Sequence, residues 1–331
     1  MRIRAMERAD WPGVAALWNA SVEAGEVVYK PLTEAYFRKK FLEDANYWPE
    51  LSLVAEEEGK IIGFLNGVMK RVFLPKQNHQ NTPGYITCFF VDAGHRRRGV
   101  GRALVNELEK RMREAGKSKI ACHGDNPINL DWVVPGTPGH DHNNAPGMDE
   151  ECAGYVFLQA LGYTPRFHEV AMYLNLKDYR VPDDFAVKRQ RLADEGIYTG
   201  RYDLSWHYEY NGIFDRVGSE YWRKVFQDEI ASDHPRPILV AACNGAICGF
   251  TGPVDKQPSG RGWFSGICTD PLFEKKGIAS VLFNLLMQEF IAEGAAFSTL
   301  FTGREAHARR VYERAGLRVV RGFAIMDKPL A

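Results

Sequence analysis

Residues 86–116 read ITCFFVDAGHRRRGVGRALVNELEKRMREAG and join three kinds of local sequence. The apolar run 86–91 predicts a buried strand, and apolar side chains at Leu104, Leu108 and Met112 have the spacing of one helix face. Between them lies a loop with three arginines and two glycines. A strand that passes through a glycine loop into a helix favours an anion site, because the first helical turn leaves main-chain N–H groups unpaired.

This arrangement occurs twice in the chain. Residues 265–294, SGICTDPLFEKKGIASVLFNLLMQEFIAEG, repeat the order of strand, glycine loop and helix. Upstream, LVAEEEGKIIGF from Leu53 aligns without a gap with LVAACNGAICGF from Leu239, and each predicts a β-hairpin. Downstream, FLQALGY at 157–163 aligns with VYERAGL at 311–317. Repeats of this length indicate two copies of one domain.

The repeat defines the predicted domains, residues 1–182 and 183–331. The polar segment KDYRVPDDF, which contains a proline, suits the linker between them. The first copy carries an inserted loop at about 126–149, which is typical of a binding loop or lid, with a disordered surface insertion as the alternative. His140 and His142 in this loop lack the second ligand cluster of a zinc site, so no metal is predicted.

The composition argues against nucleic-acid and membrane partners. Lysine plus arginine (42) equal aspartate plus glutamate (42) among 331 residues, so no net charge attracts either surface, although 95–98 (HRRR) and 187–191 (VKRQR) are basic. No apolar stretch has the length of a membrane span, and the first residues lack the core of a signal peptide. The six cysteines form no C-x-x-C pair and predict buried thiols of a cytoplasmic protein.

The spacing Arg96-x-x-Gly99-x-Gly101 resembles the acyl-CoA loop of the GNAT N-acetyltransferase superfamily, whose pattern is Q/R-x-x-G-x-G/A. Glycine at the last two positions lets the main chain approach a ligand closely. The later YERAGL, which begins at Tyr312, resembles that family's Y-E-x-x-G-F, whereas Ala93 stands where the family usually has proline. The resemblance covers nearly the whole chain, twice. It implies an α/β (α+β) fold of two tandem GNAT domains, each a mixed, mostly antiparallel central sheet flanked by helices.

The resemblance also implies a function. The chain would be an acyltransferase, outside the aminoacyl class, that moves an acetyl group from acetyl-CoA to a primary amine of a small molecule or peptide. It would act as a monomer or homodimer. A non-catalytic acyl-CoA-binding protein is the alternative. The positions implied for coenzyme A lie at the end of the strand and in the loop after it: Phe89, Val91, Arg96, Arg97, Arg98, Gly99, Val100, Gly101 and Arg102.

The two copies differ at their implied sites. In the second loop Glu274 replaces the usual Gln or Arg, and a carboxylate there repels a pyrophosphate. We therefore expect acyl-CoA to bind mainly in the first domain. The family's acid is the tyrosine of Y-E-x-x-G-F, which is Tyr312 in the second copy and Leu158 in the first. The better loop and the better acid thus fall in different domains.

The catalytic candidates are His123 and Tyr312. His123 ends the strand after the first glycine helix and would serve as base, with a merely hydrogen-bonded histidine as the alternative. Tyr312 would protonate the departing thiolate, with plain packing as the alternative. Tyr155 is a possible substitute acid but is more typical of core. We expect catalysis in the first domain, with catalysis in the second as the alternative, and the aromatic stretch 202–222 predicts helical core.

Overall fold

A computed structural model describes residues 1–330. They form two units, one of residues 1–170 with 321–330, the other of residues 171–320. This division differs from the predicted cut at residue 182. The reason is that the end of the chain does not stay with the second repeat but adds a strand to the sheet of the first.

The helices and strands follow each other in the order expected from the repeat. The helices are α1 (Trp11–Glu23), α2 (Glu34–Phe37), α3 (Val100–Glu114), α4 (Ala153–Ala160), α5 (Phe185–Asp194), α6 (Asn211–Val217), α7 (Glu220–Ile230), α8 (Ile278–Ala292) and α9 (His307–Arg314). The strands are β1 (Arg2–Ala5), β2 (Ser52–Glu57), β3 (Lys60–Met69), β4 (Gly84–Val91), β5 (Lys119–Cys122), β6 (Trp132–Val133), β7 (Asp141–His142), β8 (Met148–Asp149), β9 (Thr164–Asn175), β10 (Tyr198–Arg201), β11 (Leu239–Cys243), β12 (Ala246–Gly252), β13 (Asp255–Lys256), β14 (Arg261–Trp263), β15 (Gly266–Thr269), β16 (Phe297–Gly303) and β17 (Arg318–Pro329). Short 3₁₀ or π turns lie at Arg8–Asp10, Arg38–Leu42, Pro49–Leu51, Ala93–His95, Leu176–Asp178 and Pro271–Phe273.

The first unit is built on a sheet in the order β1-β2-β3-β4-β5-β17, antiparallel except for the β4–β5 pair. Helix α3 packs its apolar stripe, Leu104, Leu108 and Met112, against one face. Helix α1 covers the other face through Val14 and Trp18. Both faces of the sheet are therefore buried, and the predicted mixed, mostly antiparallel sheet with flanking helices is confirmed.

The second unit repeats this plan with the antiparallel sheet β10-β11-β12-β15. The two predicted hairpins are β2–β3 and β11–β12. Their turn residues, Glu58 with Gly59 and Asn244 with Gly245, all have positive φ, between 50° and 76°. Such turns match the twist of the flanking strands. Each hairpin also has a register shift with one extra residue in its second strand, Ile62 in β3 and Cys248 in β12, so the likeness of the copies extends to irregularities.

The aromatic stretch 202–222 is helical only from residue 211 onward. Its first part follows the β11–β12 hairpin instead, with Tyr202 N–H donating to the Ile238 carbonyl (2.8 Å) and Glu209 N–H to the Gly245 carbonyl (2.9 Å). These two N–H groups bond to the hairpin segment and that of Trp206 to the Asp203 carbonyl (2.9 Å), so the apolar spacing alone misled the helix prediction.

Strand β17 is tied to the first unit by a buried ion pair. The Lys328 ammonium lies 2.9 and 2.8 Å from the two carboxylate oxygens of Glu109 on α3, and the Tyr163 hydroxyl donates to one of them at 3.0 Å. Glu109 is only 4 % exposed. A charge at that depth depends on its partners, so the last strand is part of the first unit's core.

Replacing Lys328 with methionine should destabilise the protein, because the Glu109 carboxylate then stays buried without its cation. Since the Lys328 side chain is 26 % exposed, we expect the low end of the usual penalty, about 3 kcal/mol, in the free energy of unfolding measured with urea. The control is the double variant Glu109→Gln, Lys328→Met, which should recover most of the loss. Unchanged stability of the single variant would contradict this role of the pair.

Candidate functional site

The loop before α3 has the backbone of an anion site. Arg97 (φ 61°) and Gly99 (φ 88°) are both left-handed, and they turn the chain into the helix. The N–H of Ala103 donates to the Gly99 carbonyl at 2.9 Å. The N–H groups of residues 100–102 therefore precede the helix's own hydrogen bonds and are available to an anion.

The second repeat has the same loop backbone. Lys275 (φ 62°) and Gly277 (φ 93°) take the left-handed conformations before α8. Its surroundings differ, however. An Arg191 Nη atom of α5 donates to the Lys276 carbonyl at 2.6 Å, and the Lys276 ammonium lies 2.5 Å from a Glu195 carboxylate oxygen. Part of this loop is thus already engaged by its own unit.

The absence of a side chain at Gly101 is explained by a packing contact that the sequence did not predict. A Cβ at this position would lie 3.1 Å from the ring of Phe157 on α4. The glycine therefore makes room for a side chain of the same unit, whereas we had expected it to make room for a ligand. In the second repeat, Ala279 matches Gly101 and is larger, whereas Val311 matches Phe157 and is smaller.

Two of the loop arginines are engaged within the protein. The Arg96 guanidinium donates to both carboxylate oxygens of Glu26 (2.6 and 2.5 Å), and its Nε donates to the Val91 carbonyl (3.1 Å). Arg96 holds the pKa of the Glu26 carboxyl below its usual value, so this pair is charged at neutral pH. Arg98 donates to Glu57 at 3.3 Å. These side chains fix the loop to the rest of the unit.

The other two, Arg97 and Arg102, have no ion-pair partner within residues 1–330 and are exposed. A guanidinium without a carboxylate is free to meet an incoming anion. Of the four arginines predicted for the site, these two therefore have the charge to offer a phosphate.

Strands β4 and β5 separate soon after they meet. They pair in parallel only at Gly84 with Ile120 and at Tyr85 with Ala121. From residue 86 onward the edge of β4 that faces β5 has no partner strand, which leaves a gap between the two strands. Unpaired main-chain groups at such an edge can pair with an extended ligand.

The register of β3 and β4 identifies the main-chain groups that face this gap. The Asp92 N–H donates to the Ile62 carbonyl at 2.9 Å, so position 92 is a hydrogen-bonded position of the antiparallel ladder. Because such positions alternate, the N–H and C=O of Phe89 and Val91 point away from β3 and into the gap. These are the two strand residues that the sequence analysis selected.

Asn126 crosses the bottom of the gap. Its Nδ2 lies 3.4 Å from the Ile86 carbonyl oxygen and 3.2 Å from Thr87 Oγ1, and its Oδ1 accepts the Ile128 N–H at 2.9 Å. Thr87 is the extra residue where the register of β3 and β4 shifts. Asn126 therefore fixes the bulge of β4 to the segment that follows β5. No sequence motif pointed to it.

A cavity of about 1030 Å³ joins these features within the first unit. The sequence-predicted site residues among its lining are Phe89, Val91, Arg96, Arg97, Gly99, Val100, Gly101, Arg102 and His123. Arg98 is not among the lining residues, in keeping with its ion pair to Glu57. The loop, the open strand edge and the candidate base thus share one space.

The inserted loop forms part of this cavity's wall. Trp132, which is fully buried, lines the cavity, and its neighbours tie the insertion to the segment after α1. Lys30 N–H donates to the Asp131 carbonyl (3.2 Å) and Val133 N–H to the Val28 carbonyl (2.8 Å). The Lys40 ammonium lies 2.8 Å from the Asp131 carboxylate. These contacts order the insertion against the unit, which argues against the disordered alternative.

His123 is held by a turn. Its Nδ1 accepts the Asp125 N–H at 2.9 Å, and the Asp125 carboxylate lies 3.7 Å from the same atom. With Nδ1 as acceptor, the neutral ring carries its proton on Nε2. In this arrangement the free nitrogen is a donor, and service as a base at Nε2 requires the other tautomer.

Tyr312 belongs to the second unit and is not among the residues that line the cavity. Tyr312 is 5 % exposed, and its ring lies 4.7 Å from that of Phe283. Burial raises the pKa of Tyr312 above its usual value. In the first unit Leu158 is fully buried in the core, and Tyr155 packs against that core without lining the cavity. Neither replaces the acid there.

Residues 1–330 contain no group of three or more His, Cys, Asp or Glu side chains placed to hold a metal ion. The Trp132 ring stacks on His142 at 5.7 Å, which gives one of the two loop histidines a packing role. In the same part of the chain, every helix is too short or too polar to cross a bilayer.

Two parts of the chain, residues 14–131 and 202–317, match the family described as Acetyltransferase (GNAT) family. They correspond to the two repeats, and each match ends within the repeat that contains it. Together they cover more than half of the sequence.

The fold is similar to that of several solved structures. A GCN5-related glucosamine N-acetyltransferase region of a fungal multi-domain GH3 beta-N-acetylglucosaminidase is 17% identical, with a TM-score of 0.68 over 99% of this chain and 38% of that one. A GCN5-related N-acetyltransferase from Sphaerobacter thermophilus is 16% identical, with a TM-score of 0.64 over 99% and 95% of the chains. A tandem GNAT protein from the clavulanic acid biosynthesis pathway is 13% identical, with a TM-score of 0.56 over 100% and 98%. At these identities the likeness shows the fold alone.

Replacing Gly101 with alanine should carry a packing cost of about 1 kcal/mol in the first unit, set against alanine's better helix propensity, because the added methyl meets the Phe157 ring. In a Phe157→Val background, which copies Val311 of the second repeat, the cost of Gly101→Ala should nearly vanish. A double-mutant cycle of urea unfolding measures this coupling separately from the cost of Phe157→Val itself. Additive effects of the two substitutions would show that Gly101 is there for another reason.

Proposed function

Because the chain belongs to the acetyltransferase (GNAT) family, we propose that its first unit transfers an acetyl group from acetyl-CoA to a primary amine of a small molecule or peptide. The observation that carries this proposal is the single cavity that contains an anion loop, an open strand edge and a histidine. Each matches one part of the reaction: a phosphate-bearing donor, an extended arm and a proton transfer.

The chain's own groups fit the donor. The N–H groups of residues 100–102 and the side chains of Arg97 and Arg102 would bind the pyrophosphate. The N–H and C=O of Phe89 and the N–H of Val91 would pair with the amides of the pantetheine arm, as an added strand does at a sheet edge. The Val91 carbonyl is already taken by Arg96.

The thioester would then lie where β4 and β5 part, between Thr87 and His123. The register pairs Tyr85 with Ala121, and its continuation by two residues would bring Thr87 and His123 to opposite sides of the gap. An amine must be neutral to attack, and His123 would take its proton at Nε2 once the ring carries its own proton on Nδ1. The Asp125 carboxylate, 3.7 Å from Nδ1, would accept that proton in a hydrogen bond.

The second unit's loop differs from the first in its contacts and in its charge. Its loop is engaged by Arg191 and by the Lys276–Glu195 pair, and Glu274 adds a negative charge at the first position. These contacts support the proposal that acyl-CoA binds mainly in the first unit. The alternative, catalysis in the second unit with Tyr312 as acid, would have to displace them.

A second candidate function is acyl-CoA binding without turnover, favoured by the buried Leu158 at the place of the family's acid. Thiol release from acetyl-CoA in the presence of an amine panel separates the two, with mass spectrometry to detect the acetylated amine. The panel includes glucosamine, which is named in the description of the fungal neighbour. Binding of acetyl-CoA without acetylation of any amine would favour the second candidate.

Calorimetry with acetyl-CoA should show one site per chain. Arg97→Gln and Arg102→Gln should each weaken binding about tenfold, the loss of one charge-assisted hydrogen bond to a phosphate. Arg98→Gln is the matched control, because Arg98 lies in the same loop but pairs with Glu57, and it should leave the affinity nearly unchanged. Two equal sites per chain, or equal losses in all three variants, would refute this assignment.

His123→Ala should lower kcat by about 10²–10⁴, the usual contribution of a positioned base, with little change in acetyl-CoA affinity. Tyr312→Phe should leave kcat unchanged if the first unit is the active one. Both variants are measured in the same thiol-release assay. The reverse pattern, an active His123→Ala and an impaired Tyr312→Phe, would move catalysis to the second unit.

A further inference from the structure

Tyr29 is a cavity residue that the sequence analysis did not single out. It follows α1 and lines the same cavity as the anion loop. Its ring lies 5.4 Å from that of Trp18 and 6.2 Å from that of Phe90, and its main chain forms a β-bridge with Trp132. The ring is therefore fixed on two sides and by its backbone.

Tyr29 shares the cavity with residues of both strands that border the gap, β4 and β5. The ionisable groups that line this cavity with Tyr29 include Cys88 of β4, Cys122 of β5, Asp149 of β8 and Cys152 before α4. Among residues 1–330 the Tyr29 hydroxyl has no hydrogen-bond partner. Burial, reinforced by these neighbours, raises the pKa of Tyr29 well above its usual value, so the phenol keeps its proton at neutral pH.

The proposed path of the pantetheine arm leads to the same place. From Val91 back to Thr87 the strand covers about 13 Å. An arm that pairs with Val91 and Phe89 therefore carries its sulfur to the level of Thr87 and Cys88. Cys88 lines the cavity together with Tyr29, whose ring lies 6.2 Å from that of Phe90 on the same strand.

A thiolate formed here would be poorly stabilised. Burial raises the pKa of Cys122 to about 12 and moves that of Cys88 in the same direction. A free thiol ionises near pH 8.5, roughly, but the same apolar surroundings would disfavour a coenzyme A thiolate here. The departing sulfur therefore needs a proton donor. The usual acid position is occupied by Leu158.

We propose that the Tyr29 hydroxyl donates a hydrogen bond to the thioester sulfur and protonates it as the C–S bond breaks, an inference that rests on the proposed acetyl transfer in the first unit. The amine nitrogen forms the new C–N bond with its lone pair. The C–S electron pair leaves with the sulfur, which takes the Tyr29 proton. The proton lost by the attacking nitrogen returns to the phenolate through His123 or solvent, so that acetyl-CoA and amine become amide and free thiol.

The first test is kinetic and uses Tyr29→Phe, which keeps the ring and its packing. We expect kcat with acetyl-CoA to fall by about 10²-fold while KM stays nearly constant. Tyr155→Phe is the matched control, a tyrosine of the same unit that does not line the cavity, and it should retain full kcat. Unchanged kcat in Tyr29→Phe overturns the proposal.

The second test needs no acceptor amine. Coenzyme A and desulfo-coenzyme A are titrated by calorimetry from pH 6 to about 10 into the wild type and both variants. A donor at the sulfur stabilises the bound thiolate, so the acid dissociation constant of the bound thiol should be about tenfold lower in Tyr29→Phe than in the wild type. Desulfo-coenzyme A should bind all three proteins alike. Equal thiol titrations overturn the role of Tyr29, whereas failure of the wild type to bind coenzyme A overturns the proposed function itself.

Discussion

The early end of the β4–β5 pairing is the constraint on which the candidate site depends. Two residue pairs join the strands, and every main-chain group of β4 beyond them must find another partner. The unit supplies Asn126 at the bottom of the gap and Arg96 at its top. What stays unsatisfied between them is a strip of N–H and C=O groups of defined spacing. The protein thus keeps part of its sheet incomplete, and the cavity is the space that results.

The sequence predicted the local elements well, because their signals are local. The hairpins, the glycine loops and α3 each follow from the residues within them. The site's other parts depend on contacts between distant segments, and no spacing encodes these. Tyr29 enters the cavity because the insertion pairs with its segment, and Gly101 is small because of Phe157 on another helix. The predicted cut at residue 182 missed strand β17 for the same reason.

The two repeats share a backbone and differ in what their charged side chains do. In the first loop Arg96 and Arg98 are held by carboxylates of the surrounding elements, which leaves Arg97 and Arg102 exposed. In the second, Arg191 of α5 and Glu195, the residue that follows this helix, contact the loop itself. Contacts from α5 and the residue after it are thus enough to engage a loop that is open in the first unit. The two repeats therefore share the loop backbone, whereas the charged side chains of the second loop make contacts within their own unit.

Strand β17 gives the order of synthesis a consequence. The carboxylate of Glu109 pairs with Lys328, so the first unit cannot complete its core until the second repeat has also been synthesised. A nascent chain that stops anywhere in the second repeat would expose the edge of β5, a template for pairing with other chains. Correct folding of the first unit therefore depends on synthesis of the second repeat, independently of any activity that the second unit has. A gene split between the repeats would give a first product whose sheet lacks strand β17, because the residues of that strand would lie in the second product.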